Sequence, residues 1–296
     1  IYDPNSKKAS GVRVIDSKTN KTTTYNAKVI FLCASTLGTT QILLNSTSEH
    51  FETGFANSSD AVGRYLMDHL AFTGAKGELH GFDDKYYIGR KPNSIYVPRF
   101  TNLERDEEEF VRGFAYQGSS RRKGWDDRLG DKGFGAQFKE SFKTPGVWAI
   151  ELEGYGEMLP MADNRVTLHK SKKDKWGMPQ LHIDAKFGEN DKKIRKKMRE
   201  TAVDIMEKAG LKNITTFNTE DSLGLSIHEM GTARMGIDPK EAVVNGYNQC
   251  HDVANVFITD GAAMASSACQ NPSLTYMAFT ARAVDYAVKN MKLGTL

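Results

Sequence analysis

Short apolar runs and longer helical patterns alternate through the last third of the chain. Residues 256–259 form an apolar run of strand length that stops at Asp260 and Gly261. Asn271 and Pro272 stand where a helix is expected to begin, because Asn is a preferred N-cap and Pro fits the first helical position. Behind them apolar residues recur at helical spacing, at Met277, Ala281, Val284 and Val288. The pattern predicts a strand followed by a helix over residues 274–288.

The first third of the chain predicts a hairpin and then a strand–turn–helix unit. Residues 11–16 and 22–27 alternate in polarity on either side of a polar turn, as the strands of a β-hairpin do. The continuous apolar run at 29–33 is typical of a parallel strand buried on both faces, so Cys33 is expected in the core. A helix is predicted over 38–45, after a turn of small residues that includes Ala34.

The middle of the chain favours an antiparallel sheet. Short strand patterns follow one another through residues 71–187, and strands at this spacing suit a sheet with one covered face. Residues 190–209 predict an amphipathic helix that Asn190 or Asp191 caps and Gly210 ends. The apolar face of that helix consists of Ile194, Met198, Ala202, Ile205 and Met206. The predicted fold class is therefore α/β combined with α+β.

Composition narrows the classes of function. No apolar run approaches the ~20 residues that a membrane span needs. Residues 169–199 hold eleven Lys or Arg against four Asp or Glu. They do not show the regular aromatic interleaving of a nucleic-acid surface, so we interpret them as a solvated face. The three cysteines lack zinc-type spacing, and they predict neither a disulfide framework nor a metal site.

His228 is the first candidate for chemistry. It lies in the segment 226–230, which Gly231 and Gly236 close. A neutral His is the usual base for a proton that must leave near neutral pH, although an isolated His is more often structural. The start of the helix behind Asn271 adds N–H groups and partial positive charge, which suit a phosphate or an anionic flavin ring. Alternatively, Asn271 has only a structural role, as the N-cap of that helix.

Several segments resemble the glucose-methanol-choline (GMC) oxidoreductases, FAD enzymes that oxidise alcohols. HEMGTARMG at 228–236 and QNPSLT at 270–275 are similar to the C-terminal signatures of that family. VGRYLMDH at 62–69 and EMLPMADNRVTL at 157–168 resemble two further family segments. Within the family, the residues of these segments resemble those of the branch that includes pyranose 2-oxidase and the bacterial glucoside 3-dehydrogenases.

The resemblance implies a fold in two lobes. A partial, Rossmann-like FAD lobe is expected from residues 1–70 and 225–296, and a substrate lobe with an antiparallel sheet from residues 71–224. Family members carry a G-x-G-x-x-G fingerprint for ADP near the start of a longer chain, and no such motif follows a strand here. We therefore expect an N-terminal FAD-binding segment, in the same or a separate chain, beside the strands at 29–33 and 256–259.

The resemblance also implies roles for individual residues. His228 would take the hydroxyl proton and Asn271 would help to hold the substrate oxygen, while the hydride passes to flavin N5. His69 is expected as a neighbour of the active site, although a His at such a position is more often a surface or core residue. Arg234 is expected in a structural salt bridge rather than as a catalytic cation. No metal ligand is implied. The residues implied in FAD binding are Ala34, Asp260, Gly261, Asn271, Pro272 and Thr275.

The implied function is FAD-dependent oxidation of a sugar or polyol hydroxyl, of the glycoside 3-dehydrogenase or pyranose oxidase type. A dehydrogenase acting on a glycoside is favoured, with an electron-acceptor subunit or cytochrome as a partner. The expected compartment is the periplasm, with the cytoplasm as the alternative. A second class stays open, a binding or structural partner that keeps the fold without the cofactor, because the dinucleotide fingerprint is missing from this chain.

Overall fold

The computed structural model describes residues 1–83, 94–104, 108–219 and 223–296. The strands in chain order are β1 (Tyr2–Asp3), β2 (Lys8–Ala9), β3 (Gly11–Ile15), β4 (Thr22–Asn26), β5 (Ile30–Leu32), β6 (His69–Leu70), β7 (Thr73–Leu79), β8 (Ser94–Val97), β9 (Phe114–Arg122), β10 (Trp148–Glu157), β11 (Arg165–Lys173), β12 (Pro179–Asp184), β13 (Lys212–Asn218) and β14 (Val256–Ile258). The α-helices are α1 (Thr36–Asn45), α2 (Gly135–Ser141), α3 (Glu189–Lys208) and α4 (Ser273–Leu293). Short 3₁₀ turns lie at Asp126–Arg128 and Gly261–Ala263.

These elements form two compact units that the chain visits in turn. The first consists of Ile1–His69, Met158–Phe187 and Ile227–Leu296, and the second of Leu70–Glu157 and Gly188–Ser226. The continuous lobe expected at 71–224 is thus interrupted, because residues 158–187 belong to the first unit. Mixed α/β structure and an antiparallel sheet are both present, so the predicted fold class is confirmed.

Hydrogen bonds explain why the β11–β12 hairpin joins the first unit. The N–H of Val166 in β11 donates to the carbonyl of Gly63 over 2.7 Å. On the partner strand, the carbonyl of Pro179 accepts a hydrogen bond of 3.1 Å from the side chain of Gln41 in α1. Sequence order places the hairpin among the strands of the middle region, but its backbone groups are paired with α1 and the loop that follows it.

The parallel pair β5–β14 belongs to the first unit, as the apolar runs predicted. Ile30 pairs with Val256 and Leu32 with Ile258. β14 is fully buried, whereas β5 is half-buried and Cys33 beyond it is exposed. The expectations of a β5 buried on both faces and of a core Cys33 are wrong, because within the described residues β5 has a hydrogen-bonded neighbour on one side only.

The last helix, α4, packs through small side chains. Ala283 and Ala287 are buried in a cluster with Phe257, and Phe31 stacks on Phe257 with ring centroids 5.0 Å apart. The predicted helix is confirmed over Ser273–Leu293, although the apolar residues whose spacing predicted it are exposed in the described part of the chain. The alanines allow the helix to lie close to the two aromatic rings, which turns the longer apolar residues outward. These exposed residues include Met277, Val284 and Val288.

The second unit is an antiparallel sheet with a helix on one face, as the middle of the chain predicted. The described strands lie in the order β13–β7–β10–β9–β8. Met198 and Ile194 of α3 pack onto Gly154 and Gly156 of β10, where a Cβ atom would collide with them. Tyr116 of β9 is fully buried, and its hydroxyl donates to the carbonyl of Met198 over 2.6 Å.

The helix α3 matches its predicted face and end but not its predicted cap. Gly210 follows the helix at φ +82°, as expected of a C-terminal glycine. At the other end Gly188 occupies the N-cap position, and its N–H donates to the carboxylate of Asp191 over 2.8 Å. The buried residues of the predicted face of α3 are Ile194, Met198, Ala202 and Met206.

No helix in the described ranges combines the length and apolar character that crossing a membrane requires.

Candidate active site

A short antiparallel contact in the first unit brings two histidine-bearing segments together. Met67 and Met230, both fully buried, exchange two backbone hydrogen bonds of 2.9 Å. Antiparallel partners run in opposite directions, so His69, two residues after Met67, faces His228, two residues before Met230. Gly231 follows at φ +86°, with its Cα against the backbone of the facing segment, and a side chain at that position would collide with it.

The two histidines are in direct contact. Nδ1 of His228 lies 3.2 Å from Nδ1 of His69, and the rings meet edge to face with centroids 4.8 Å apart. His69 is buried, whereas His228 is half-buried. Burial, and next the neighbouring His228, lower the pKa of His69 to about 4, against opposing effects of Asp68 and the backbone of Ala268. His69 is therefore neutral near pH 7, and His228 is the ring that a ligand can reach.

Asp68 holds both histidines through their backbones. Its Oδ1 accepts the N–H of His69 over 2.8 Å and the N–H of His228 over 3.3 Å. The side chain is fully buried, and hydrogen bonds to a carboxylate are among the stronger ones. Asp68 thus fixes the distance between the two segments. Sequence reasoning did not single it out, although it stands directly before His69 in the VGRYLMDH segment.

Asn271 lies on the accessible side of His228. Its Nδ2 is 3.4 Å from Nε2 of His228, and the residue is exposed. The helix α4 begins at Ser273 with Pro272 in the N-cap position. The expected N-cap at Asn271 is therefore wrong by one residue, and Asn271 lies before the helix with its amide towards His228.

The carboxyl ends of β5 and β14 form a second group of predicted residues. The N–H of Ala34 donates to Oγ1 of Thr39 over 3.3 Å, and that hydroxyl donates to Oδ2 of Asp260 over 2.5 Å. Oδ1 of Asp260 accepts the N–H of Ala262 over 2.9 Å. Burial raises the pKa of the Asp260 carboxyl, while the hydrogen bonds from Thr39 and Ala262 oppose the rise. Parallel strands end at the same edge of a sheet, which is why Ala34 and Asp260 lie close together.

Gly261 connects this edge to the histidine segment. A Cβ at this position would collide with Oγ1 of Thr36, and would lie 2.7 Å from the carbonyl oxygen of Glu229 and 2.9 Å from the hydroxyl of Tyr276. Thr36 donates to the same Glu229 carbonyl over 2.5 Å. The carbonyl of Gly261 in turn accepts the N–H of Gly231 over 3.0 Å. The glycine is required because helix, loop and turn meet there without space for a side chain.

Tyr276 lies beside Gly261 and was not predicted from the sequence. Its hydroxyl is buried and has no hydrogen-bond partner among the described residues. Burial, and then the nearby Asp260, raise the pKa of its phenol above the ordinary value. The only signal in the sequence was its place one residue after Thr275 in the QNPSLT segment.

The start of α4 and the backbone at Ala34 show how the residues present fit FAD. Every α-helix begins with N–H groups that lack an intrahelical acceptor, and in α4 these belong to the exposed residues Ser273, Leu274 and Thr275. Such a helix start favours negative charge. Ala34 is exposed at the end of β5 and carries no side chain beyond Cβ, so a ligand can approach the backbone there. The exposed N–H groups at the start of α4 and the accessible backbone at Ala34 fit a dinucleotide, which has anionic phosphates and an extended shape.

Two further expectations concern charged groups and metals. The guanidinium of Arg234 lies 3.7 Å from the carboxylate of Glu241 and 3.9 Å from the centroid of the Tyr65 ring, so the expected salt bridge is present. No cluster of three or more potential metal ligands occurs within residues 1–83, 94–104, 108–219 and 223–296.

The sequence of this chain is similar to proteins of one family. The sequence profiles described as GMC oxidoreductase match residues 1–71 and 160–280. The chain is 30% identical over 297 residues to 2-methyl-1,2-propanediol dehydrogenase of Mycolicibacterium austroafricanum, covering 94% of this chain and 51% of that protein. It is 29% identical over 275 residues to the fructose dehydrogenase large subunit of Gluconobacter japonicus, covering 90% and 48%. The chain spans about half the length of these curated relatives.

Solved structures show the same fold. A formate oxidase variant of Aspergillus oryzae RIB40 matches with a TM-score of 0.65 at 16% sequence identity. The match covers 99% of this chain and 59% of that chain.

Proposed function

Because the chain belongs to the GMC oxidoreductase family, we propose that it is part of an FAD-dependent enzyme that oxidises a sugar or polyol hydroxyl. The observation that carries this proposal is the pair formed by Nε2 of His228 and Nδ2 of Asn271, 3.4 Å apart. Oxidation of an alcohol removes a proton from its oxygen and a hydride from its carbon. A ring nitrogen and an amide donor side by side supply what the proton transfer needs.

The chain's own residues account for the proton. His228 accepts it at Nε2, the nitrogen that faces Asn271. The amide of Asn271 donates a hydrogen bond to the substrate oxygen and stabilises the negative charge that develops there. On its buried side, His228 is held by the hydrogen bond from its backbone N–H to the side chain of Asp68 and by the contact of its ring with His69. FAD, when bound, supplies the acceptor for the hydride.

The cofactor is proposed to lie along the edge formed by β5, β14 and α4. Ala34, Asp260 and Gly261 would hold the adenosine and pyrophosphate end. Pro272 and Thr275, with the N–H groups at the start of α4, would contact the flavin ring and favour its anionic reduced form. This arrangement is supported by the exposure of Ala34 and of the first turn of α4.

A dehydrogenase of the glycoside 3-dehydrogenase type is the proposed reaction class. Both curated relatives described above are named dehydrogenases, and one is named as a large subunit. These names support a sugar or polyol substrate and a partner subunit. The proposed partner of this chain is an electron-acceptor subunit or cytochrome, which would take up the electrons of the reaction.

The test is a flavin spectrum followed by a substrate panel. The native protein, purified with any segment that accompanies the chain, should show the absorbance of bound FAD. Anaerobic addition of glucose, fructose, a methyl glucoside or 1,2-propanediol should bleach that absorbance for at least one compound. Turnover with ferricyanide but not with oxygen would support a dehydrogenase. A folded protein that binds a sugar without flavin absorbance would contradict the proposal and favour a cofactor-free binding partner.

A further inference from the structure

The contact between His69 and His228 restricts where their protons lie. A neutral imidazole carries one proton, so one ring nitrogen donates and the other accepts. At 3.2 Å the two Nδ1 atoms form a hydrogen bond only if one of them carries a proton and the other does not. Two arrangements satisfy this condition, and they differ in which nitrogen of His228 carries the proton.

Asn271 decides between the two arrangements. Its Nδ2 is a donor with no acceptor capacity, and it lies 3.4 Å from Nε2 of His228. Nε2 must therefore be the accepting nitrogen, which leaves the proton of His228 on Nδ1. Nδ1 of His69 is then the acceptor, and the proton of His69 lies on its Nε2.

The surroundings of His69 agree with this assignment. The backbone of Ala268 opposes the lowering of the pKa of His69, and Nε2 of His69 is buried. His69 is 1% exposed and stays neutral near pH 7 because its pKa is lowered to about 4. A neutral ring keeps the lone pair on Nδ1 that the bond from His228 requires. The carboxylate of Asp68 binds the backbone N–H groups of both residues, so it orients the segments.

We infer that His69 is a positioning residue that holds the proton of His228 on Nδ1 and thereby reserves Nε2 of His228 as the atom that accepts the substrate proton. This inference rests on the proposed function only for the identity of the proton that Nε2 accepts. When Nε2 becomes protonated, the ring of His228 becomes a cation and its Nδ1–H bond to neutral His69 becomes stronger. His69 therefore stabilises the charge that forms on the base without touching the substrate.

The direct experiment is NMR of the native oxidised protein labelled with ¹⁵N in its histidines, with ring nitrogen shifts read from two-bond ¹H–¹⁵N correlations. The wild-type protein should show His228 protonated on Nδ1 and unprotonated on Nε2. In His69→Leu, which removes the acceptor, the His228 signals should move towards the Nε2–H tautomer. In His69→Asn, whose side-chain oxygen can lie near the position of Nδ1, they should stay close to those of the wild type. His182→Leu, at an exposed position of β12, serves as the matched control.

Kinetics provide a second readout. With the substrate that best bleaches the flavin, His69→Leu should lose part of the roughly 10²–10⁴-fold that a general base contributes, and His69→Asn should recover some of it. A proton on Nε2 of wild-type His228, or unchanged His228 shifts in folded His69→Leu, would overturn the inference. The wild-type spectrum decides the question even if His69→Leu does not fold. If His228→Ala keeps its turnover, the proposed function fails while the tautomer result stands.

Discussion

Nε2 of His228 lies 3.4 Å from Nδ2 of Asn271, although the two residues are 43 positions apart in the chain. His228 is held from behind by His69 and Asp68, and Asn271 by its place directly before α4. An acceptor and a donor fixed in this way can bind one hydroxyl group between them. The first two predictions separate their roles.

Removal of the base should abolish most turnover and leave the fold intact. His228→Ala is expected to lower kcat by roughly 10²–10⁴-fold, the range that a general base contributes. Flavin absorbance should persist, because no backbone contact of His228 is lost. Stopped-flow reduction of the flavin is the measurement, and His80→Ala, an exposed histidine of the second unit, is the control. Wild-type reduction rates in His228→Ala would exclude His228 as the base.

Removal of the donor should weaken the stabilisation of charge on the substrate oxygen. Asn271→Ala is expected to lower kcat by about 10²–10³-fold, as the loss of one oxyanion donor does. Asn271→His keeps a ring N–H near the same place and should retain more activity than Asn271→Ala. Steady-state kinetics of the two variants at saturating substrate provide the comparison. Equal activity of Asn271→Ala and the wild type would assign Asn271 a purely structural role.

The glycine at the centre of the site should tolerate no side chain. Gly261→Ala would force Cβ against Thr36, Glu229 and Tyr276, and such overpacking costs about 1–3 kcal/mol in the free energy of unfolding. The matched control is Gly246→Ala, because a Cβ at Gly246 meets no atom within 4 Å. Urea unfolding of both variants measures the difference. If both lose the same stability, the close contact at Gly261 is not what requires glycine.

Acidification should destabilise the protein through His69. Its folded-state pKa of about 4 lies below the ordinary value of 6.5, so between these values the unfolded chain binds more protons than the folded one. The free energy of unfolding contributed by His69 is thus fully present above pH 6.5. It should decrease by up to about 1.4 kcal/mol per pH unit as the pH falls towards 4. The ionisable groups facing the ring are His228 and Asp68.

The measurement for this pH dependence is urea unfolding at several pH values from 4 to 7. His69→Leu cannot gain a proton in the unfolded state, so its stability curve should be flatter than that of the wild type over this interval. Parallel curves for the two proteins would show that another group is responsible.

Hydrophobic periodicity was sufficient to predict those helices and strands whose own residues show the spacing of that element. The face of α3 from Ile194 to Met206, the β3–β4 hairpin and the separate strands β5 and β14 all agree with it. These features depend on local spacing and on residues that bury themselves in any globular context. The family segments likewise located His228, Asn271 and Asp260, whose roles in catalysis and cofactor binding stay predictions.

Other features depended on which surfaces meet. Cys33 was predicted in the core, yet it is exposed in the described part of the chain, as are Met277, Val284 and Val288 of α4, because burial requires a covering neighbour. The hairpin β11–β12 joined the first unit through hydrogen bonds to Gly63 and Gln41 that no local pattern encodes. The sequence by itself determined the types of residue available for proton transfer. Only the tertiary structure decided that the ring of His69 contacts Nδ1 of His228 and that Asp68 binds the backbone N–H groups of both, because the Met67–Met230 contact joins segments that are far apart in the chain.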